Sequence, residues 1–212
     1  MSRFNVVFLL AALLSVQSAL AHFQVTYPGS RGFDENKEPT APCGGFDTVS
    51  AARAEVPLKD AFIEINSGHT SYSYVVNVLV NNNPSTADFA NTSQAVAVAN
   101  GSRNYPQAAC LSLDLNKNSA IKAGTNGTIQ IIYNGGDGEL YQCADVTFVD
   151  NPKNWNNSMC TNADGSASSS SPSSSGSSPS ASATAQSDAM PSVHFGSFFL
   201  FTTALLVAFV IV

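Results

Sequence analysis

The sequence predicts an all-β protein, an immunoglobulin-like antiparallel β-sandwich closed by two disulfides. Three observations carry that expectation. Six short runs rich in Val, Ile, Phe and Tyr are separated by clusters of Gly, Asn and Ser. No segment between those turn signals keeps a 3.6-residue apolar period over a helix length. Four cysteines, Cys43, Cys110, Cys143 and Cys160, fall in the same stretch as the runs, and an even set in a chain with a secretion-type start reads as two disulfides.

The runs are 23–27, 61–66, 73–80, 110–115, 128–133 and 140–149. Alternation is visible in them: Ile63 and Ile65 point opposite Phe62 and Glu64, and Ile129 and Ile131 point opposite Gln130. Asn134-Gly135-Gly136-Asp137-Gly138 separates the last two runs and has hairpin-loop chemistry. Three disulfide connectivities are possible. The favoured one is Cys43–Cys160, tying the early loop to the C-terminal end, with Cys110–Cys143 as a link between two strands.

The two ends read as processing signals. Arg3 precedes an apolar stretch over 6–14, too short to span a bilayer, for which about 20 apolar residues are needed. Ala19-Leu20-Ala21 then gives the small-x-small pattern of a leader cleavage site. The mature chain is therefore expected to begin at His22. At the other end an apolar tail over 198–212 carries no basic residue after it, unlike a transmembrane helix with its cytoplasmic anchor. Small residues around Ser187, a short spacer and that tail form the signal for a GPI anchor, with attachment expected at Ser187 first and Ser182 second. Between domain and anchor, residues 166–188 hold 13 serines with Pro172 and Pro179, and no Val, Leu, Ile, Met or aromatic residue. Such a segment buries too little to offset the entropy of ordering and reads as a glycosylated stalk. The expected organisation is a leader over 1–21, one β-sandwich domain over 22–164, a Ser-rich stalk over 165–187 and an anchor propeptide over 188–212.

Nine Lys and Arg stand against 15 Asp and Glu, a net charge of −6, which argues against nucleic acid or anionic lipid as a partner. Four sequons, at Asn91, Asn100, Asn126 and Asn156, call for surface positions carrying N-glycans. Those at Asn100, Asn126 and Asn156 lie in turn-like contexts.

A histidine at a free N-terminus is a chelator in its own right. Its α-amine, with an ordinary pKa near 8, and its ring Nδ1 close a six-membered ring on one metal. A second imidazole completes a T-shaped set of three nitrogens, which suits Cu(II) with its preference for tetragonal nitrogen sites. The chain has three histidines, His22, His69 and His194, and His194 leaves with the anchor signal. His69 is thus the available partner, in the turn Asn66-Ser67-Gly68-His69-Thr70.

A leader cut directly before His22-Phe23-Gln24-Val25-Thr26-Tyr27-Pro28, the later Ala41-Pro42-Cys43-Gly44-Gly45, the Ser-Gly-His turn and Tyr141-Gln142-Cys143-Ala144-Asp145-Val146 resemble one known group. The chain is similar to the fungal GPI-anchored copper acquisition factors, the non-oxidative branch of the lytic polysaccharide monooxygenase-like proteins. The resemblance implies one Cu2+ per domain, held by His22, His69 and Asp145. The carboxylate would stabilise Cu(II) and fill the coordination position that an oxygen-activating site keeps open. Asp137 and Glu139 read as turn and rim charges. Tyr72, Tyr74, Tyr105, Tyr133, Tyr141 and Trp155 read mainly as core and rim packing rather than a carbohydrate-stacking face.

The function expected is a monomeric, non-catalytic copper-binding protein on the outer face of the plasma membrane or in the wall. It would capture copper and pass it toward an importer. Two alternatives stand beside it: a copper-dependent polysaccharide monooxygenase acting on cell-wall glycan, and a structural wall mannoprotein.

Overall fold

The computed structural model describes residues 22–167. The leader, the anchor signal, Ser182, Ser187 and all but the first residues of the stalk lie outside the described residues. Within them the chain forms strands β1 (Phe23–Tyr27), β2 (Ala54–Pro57), β3 (Phe62–Ser67), β4 (Tyr72–Leu79), β5 (Ala95–Arg103), β6 (Gln107–Ser112), β7 (Asn126–Asn134) and β8 (Glu139–Val149), and one short helix, α1 (Thr86–Ala90). Two sheets result, ordered β1-β3-β6 and β2-β8-β7-β4-β5. Every pairing is antiparallel except that of β2 with β8. The expected sandwich with two disulfides is present, with one parallel pair at its edge.

The inner faces follow the period of two. Ile63 and Ile65 of β3, Val76 and Val78 of β4, Ile129 and Ile131 of β7, and Val146 and Phe148 of β8 are all fully buried in one core. The opposite faces are buried as well, which plain alternation did not predict. Phe62, Glu64, Gln130 and Asp145 are each at most 5 % exposed. Two segments without regular structure cover them. The chain over 28–53 lies on β7 and β8: Gln130 Nε2 donates to the Pro42 carbonyl at 3.0 Å, and the Tyr141 N–H donates to the Glu38 carbonyl at 2.9 Å. The C-terminal stretch lies on the smaller sheet, where Trp155 packs on Phe62 and Tyr27 with ring centroids 4.7 and 4.9 Å away.

The disulfides belong to these covers. They join Cys43 to Cys143 and Cys110 to Cys160, so the expected pairs Cys43–Cys160 and Cys110–Cys143 are corrected. The reason is geometric. Cys110 lies opposite Glu64 in the β3–β6 ladder, on the outer face of one sheet. Cys143 lies on the outer face of the other, on the side of β8 away from Ala144 and Gln142. Two sheets and a core separate them, far beyond the roughly 7 Å limit for bridged Cα atoms. Each bridge instead pins an irregular segment onto the strand beneath it. Gly44 shows how closely the first cover sits: its φ is +64°, and a Cβ there would strike the Tyr141 carbonyl.

Asp145 is the ionic anchor of the same cover. Arg31 Nε and Nη2 each reach its carboxylate at 2.8 Å, Thr128 Oγ1 donates at 2.7 Å and the Ser50 N–H donates at 2.7 Å. Its side chain has no exposure and that of Arg31 has 2 %. Burial works to raise the Asp145 pKa, but the hydrogen bonds from Arg31, Thr128 and Ser50 and the Arg31 charge outweigh it and hold the carboxyl below its ordinary value. A fork-to-fork pair of this kind fixes the path of residues 28–53 as well as neutralising the charge.

Two strands escaped the sequence reading. β2 has four residues, one charged and one proline, and pairs on one side only. β5 (AVAVANGSR) is built from small residues and holds the Asn100 sequon, so Asn100 lies in an edge strand rather than the expected turn. It is exposed there, as are Asn91 and Asn156, while Asn126 opens β7 half-buried.

Two predictions follow from the covers. Peptide mapping without reduction yields Cys43–Cys143 and Cys110–Cys160 fragments, and a Cys43–Cys160 fragment contradicts the fold. Asp145→Asn leaves Arg31 buried and uncompensated and costs about 3–5 kcal/mol, read as a thermal midpoint lower by about 10 °C. Because the native pKa is lowered, this stabilisation is complete above the unfolded value near 3.9 and is lost as pH falls through the native one. The variant's stability therefore depends less on pH below about 4.

Candidate metal centre

The two histidines among the described residues, His22 and His69, lie at one end of the sandwich. His22 precedes β1, and its carbonyl accepts from the Gly68 N–H at 3.0 Å as the β1–β3 ladder ends with Phe23 opposite Ser67. His69 follows one residue later in the β3–β4 turn. Ser67 shapes that turn: its Oγ accepts from the His69 N–H at 3.1 Å and lies 2.6 Å from the Tyr133 hydroxyl. The His69 ring rests on Gly135, where a Cβ would overlap it. The Gly-rich hairpin between β7 and β8 is thus a seat for the imidazole as well as a turn.

The hydrogen bonds assign the ring nitrogens. His22 Nε2 lies 3.0 Å from the Glu35 carbonyl, which can only accept, so Nε2 carries the hydrogen in the neutral ring and Nδ1 keeps a bare lone pair. His22 Nδ1 and His69 Nε2 are both buried without a hydrogen-bond partner. Unpartnered buried polar atoms are uncommon and call for a missing ligand. Among the described residues no three His, Cys, Asp or Glu side chains form a metal-holding group. Two imidazoles alone fall short of a site; a third nitrogen, such as a free α-amine on His22 would supply, would complete a donor set that fits copper.

The structure does not bring Asp145 to the histidines. It lies five residues along β8 from Leu140, which faces Tyr133 at the histidine end, a span of about 17 Å at strand rise. Its oxygens are already taken by Arg31, Thr128 and Ser50. The expectation that it binds metal is corrected: an Asp on the outer face of a strand belongs to whatever covers that face, here residue 31. The carboxylate beside the histidines is Asp137, whose Oδ1 is 3.7 Å from His69 Nε2. From the sequence it reads as a turn charge.

A second carboxyl was missed altogether. Glu38 is 1 % exposed, and burial pushes its pKa up to about 7, against the lowering effects of the Gln142 hydrogen bond, the His22 charge and the Phe23 backbone N–H. Gln142 is its neighbour. From the inner face of β8 its Nε2 donates to the Phe23 carbonyl and to Glu38 Oε1, both at 2.6 Å, and its Oε1 accepts from the Val25 N–H at 3.1 Å. Tyr133 forms the floor, stacked on Phe23 at 4.6 Å and on Tyr72 at 4.8 Å. Burial pushes its hydroxyl up to about 12, with Ser67 acting the other way. Tyr72, Tyr74 and Tyr133 are buried, and Tyr105, Tyr141 and Trp155 half-buried, so these aromatics form packing rather than an exposed platform.

Comparison with known proteins gives the family of the chain. The copper acquisition factor BIM1-like domain family matches residues 20–165. Copper acquisition factor BIM1 of Cryptococcus neoformans var. grubii is 37% identical over 165 residues, 76% of this chain and 75% of that protein. The lytic polysaccharide monooxygenase-like protein X325 of Yarrowia lipolytica is 32% identical over 164 residues, 74% of this chain and 59% of that one. The catalytic domain of a Listeria monocytogenes lytic polysaccharide monooxygenase aligns with 60% of this chain and 99% of its own, at 16% identity and a TM-score of 0.43. The domain match spans nearly all of the described sandwich, and the chain belongs to the copper acquisition factor BIM1-like family.

Proposed function

We propose that this protein is a non-catalytic, cell-surface Cu(II) carrier that takes up copper outside the cell and passes it toward an importer. Its cargo is held by the α-amine and Nδ1 of His22 and by Nε2 of His69, one copper per domain. The observation that carries the reading is the pair of buried, unpartnered nitrogens, His22 Nδ1 and His69 Nε2, at neighbouring strand ends.

The reading includes removal of the leader after Ala21, because the backbone nitrogen of His22 binds copper only as a free amine. It also includes the N-glycans, the Ser-rich stalk and the GPI anchor at Ser187, which would keep a monomeric domain at the surface where the ion is captured. A chain meant to hold copper gains from a carboxylate beside the imidazoles, since negative charge favours the cupric form over the cuprous one. Asp137, 3.7 Å from His69, is placed for that role. Names among the relatives support an acquisition role. The monooxygenase-like names of others make oxygen chemistry the alternative outcome of the test.

Electron paramagnetic resonance during a Cu(II) titration tests the reading on the processed chain beginning at His22. One equivalent gives a nitrogen-rich signal, and one extra residue before His22 or His69→Ala abolishes it. Asp137→Asn alters the signal and eases reduction by ascorbate, whereas Asp145→Asn leaves the signal of the folded fraction unchanged. A signal that survives the added residue contradicts the assignment. Rapid oxygen consumption by the copper-loaded wild-type protein with ascorbate favours the enzyme instead.

A further inference from the structure

The Glu38 carboxyl has no role in the site as described so far. It is fully buried, its Oε1 accepts from Gln142 Nε2, and its Oε2 is buried with no hydrogen-bond partner. A buried carboxylate with one empty oxygen is a standing cost to the fold, and none of the eight Lys and Arg side chains of residues 22–164 is paired with it. What lies beside it is the Phe23 backbone, the residue after His22. One nitrogen, Gln142 Nε2, bridges Glu38 Oε1 and the Phe23 carbonyl at 2.6 Å each, and the Phe23 N–H and the charge of His22 both act on the carboxyl. The α-nitrogen of His22 is three covalent bonds from the Phe23 nitrogen, no more than about 3.6 Å away.

We propose that Glu38 is the receptor for the processed N-terminus: in the copper-free protein the α-ammonium group of His22 pairs with the Glu38 carboxylate. The inference rests on the processing step of the reading above and not on copper binding. Hydrolysis of the Ala21–His22 bond consumes one water, leaves a carboxylate on the departing leader and creates an ammonium group on His22. Before cleavage that nitrogen is a neutral amide and adds no charge beside Glu38. After cleavage the pair forms, so leader removal tightens the fold at the same moment that it creates the chelate. Glu38 is then a positioning residue. It holds the amine next to Nδ1 of the same residue, and copper arrives at an N-terminus already in place rather than at a fraying strand end.

A double-mutant cycle in metal-free buffer with chelator tests this. The processed chain is compared with a chain carrying one extra glycine before His22, each with Glu38 and with Glu38→Gln. With Glu38 present the processed chain unfolds at least about 4 °C higher than the extended one, and with Glu38→Gln the two unfold together. Equal midpoints with Glu38, or a difference that persists in Glu38→Gln, overturns the proposal. Should Glu38→Gln fail to fold, acylation of the α-amine gives the answer on wild-type protein. The pairing slows it at least about tenfold relative to a short peptide starting His-Phe-Gln, since the nucleophile is the unpaired amine. Glu38→Asp, with a shorter reach, falls between the two. Acylation at the peptide rate overturns the proposal. Because no copper is present, these outcomes are independent of the resonance titration: a failed titration with an intact cycle removes the carrier reading alone.

Discussion

Strand β1 is an edge strand carrying the residue on which the site depends, and an edge strand's outward N–H and C=O groups have no ladder partner of their own. Gln142 supplies one. Its side-chain amide donates to the Phe23 carbonyl and accepts from the Val25 N–H, the pair of bonds a neighbouring strand would make. The substitute strand comes from β8, in the opposite sheet, so β1 is held across the sandwich as well as along its own. This fixes where the chain enters the fold and therefore where His22 stands. With Phe23 stacked on Tyr133 and Tyr133 bonded to Ser67, the same contacts fix the turn that presents His69. His22 and His69 stand at the same end of the sandwich because one amide and one phenol tie their strands together.

The second constraint is that both sheets are covered outside as well as inside. A sandwich that leaves its outer faces to water needs only the inner core. Here Glu64, Gln130 and Asp145 are buried polar groups on outer faces, and each has a partner on irregular chain. Thr161 meets Glu64, Pro42 meets Gln130, and Arg31 meets Asp145. The disulfides act at the same places, which makes Cys43 and Cys160 cover residues rather than core residues. The cover over 28–53 also delivers Glu35 and Glu38 to His22, so the fold that hides β8 builds the surroundings of the candidate metal centre.

Six strands were legible because they are apolar, β-branched and bounded by turn residues. β2 and β5 were not, since edge strands pair on one side and tolerate Ala, Asn, Gly and Pro. Chemistry alone singled out His22 and His69, since one imidazole needs a second nitrogen donor to hold a metal and the chain holds three histidines; the structure puts both where β1 and β3 end side by side. Asp145 shows where a resemblance outran the residues. The strand period places Asp145 opposite Gln142, on the far face from β1, and a count from the hairpin sets it several residues from the histidines. Asp137 is closer in space because it lies in the hairpin itself. Glu38, Gln142 and Arg31 are single residues whose partners are 104 to 119 positions away, and no local pattern signals such contacts.

The fold presets the His22 ring, with Nε2 committed to the Glu35 carbonyl and Nδ1 left bare. Long-range 15N–1H correlation of the processed, copper-free chain at alkaline pH reads this directly, because the two ring nitrogens of a fixed tautomer resonate far apart. The account predicts a His22 ring with the hydrogen on Nε2 and an unprotonated Nδ1. A ring with the hydrogen on Nδ1, or one averaging between tautomers as in a free peptide, would contradict it.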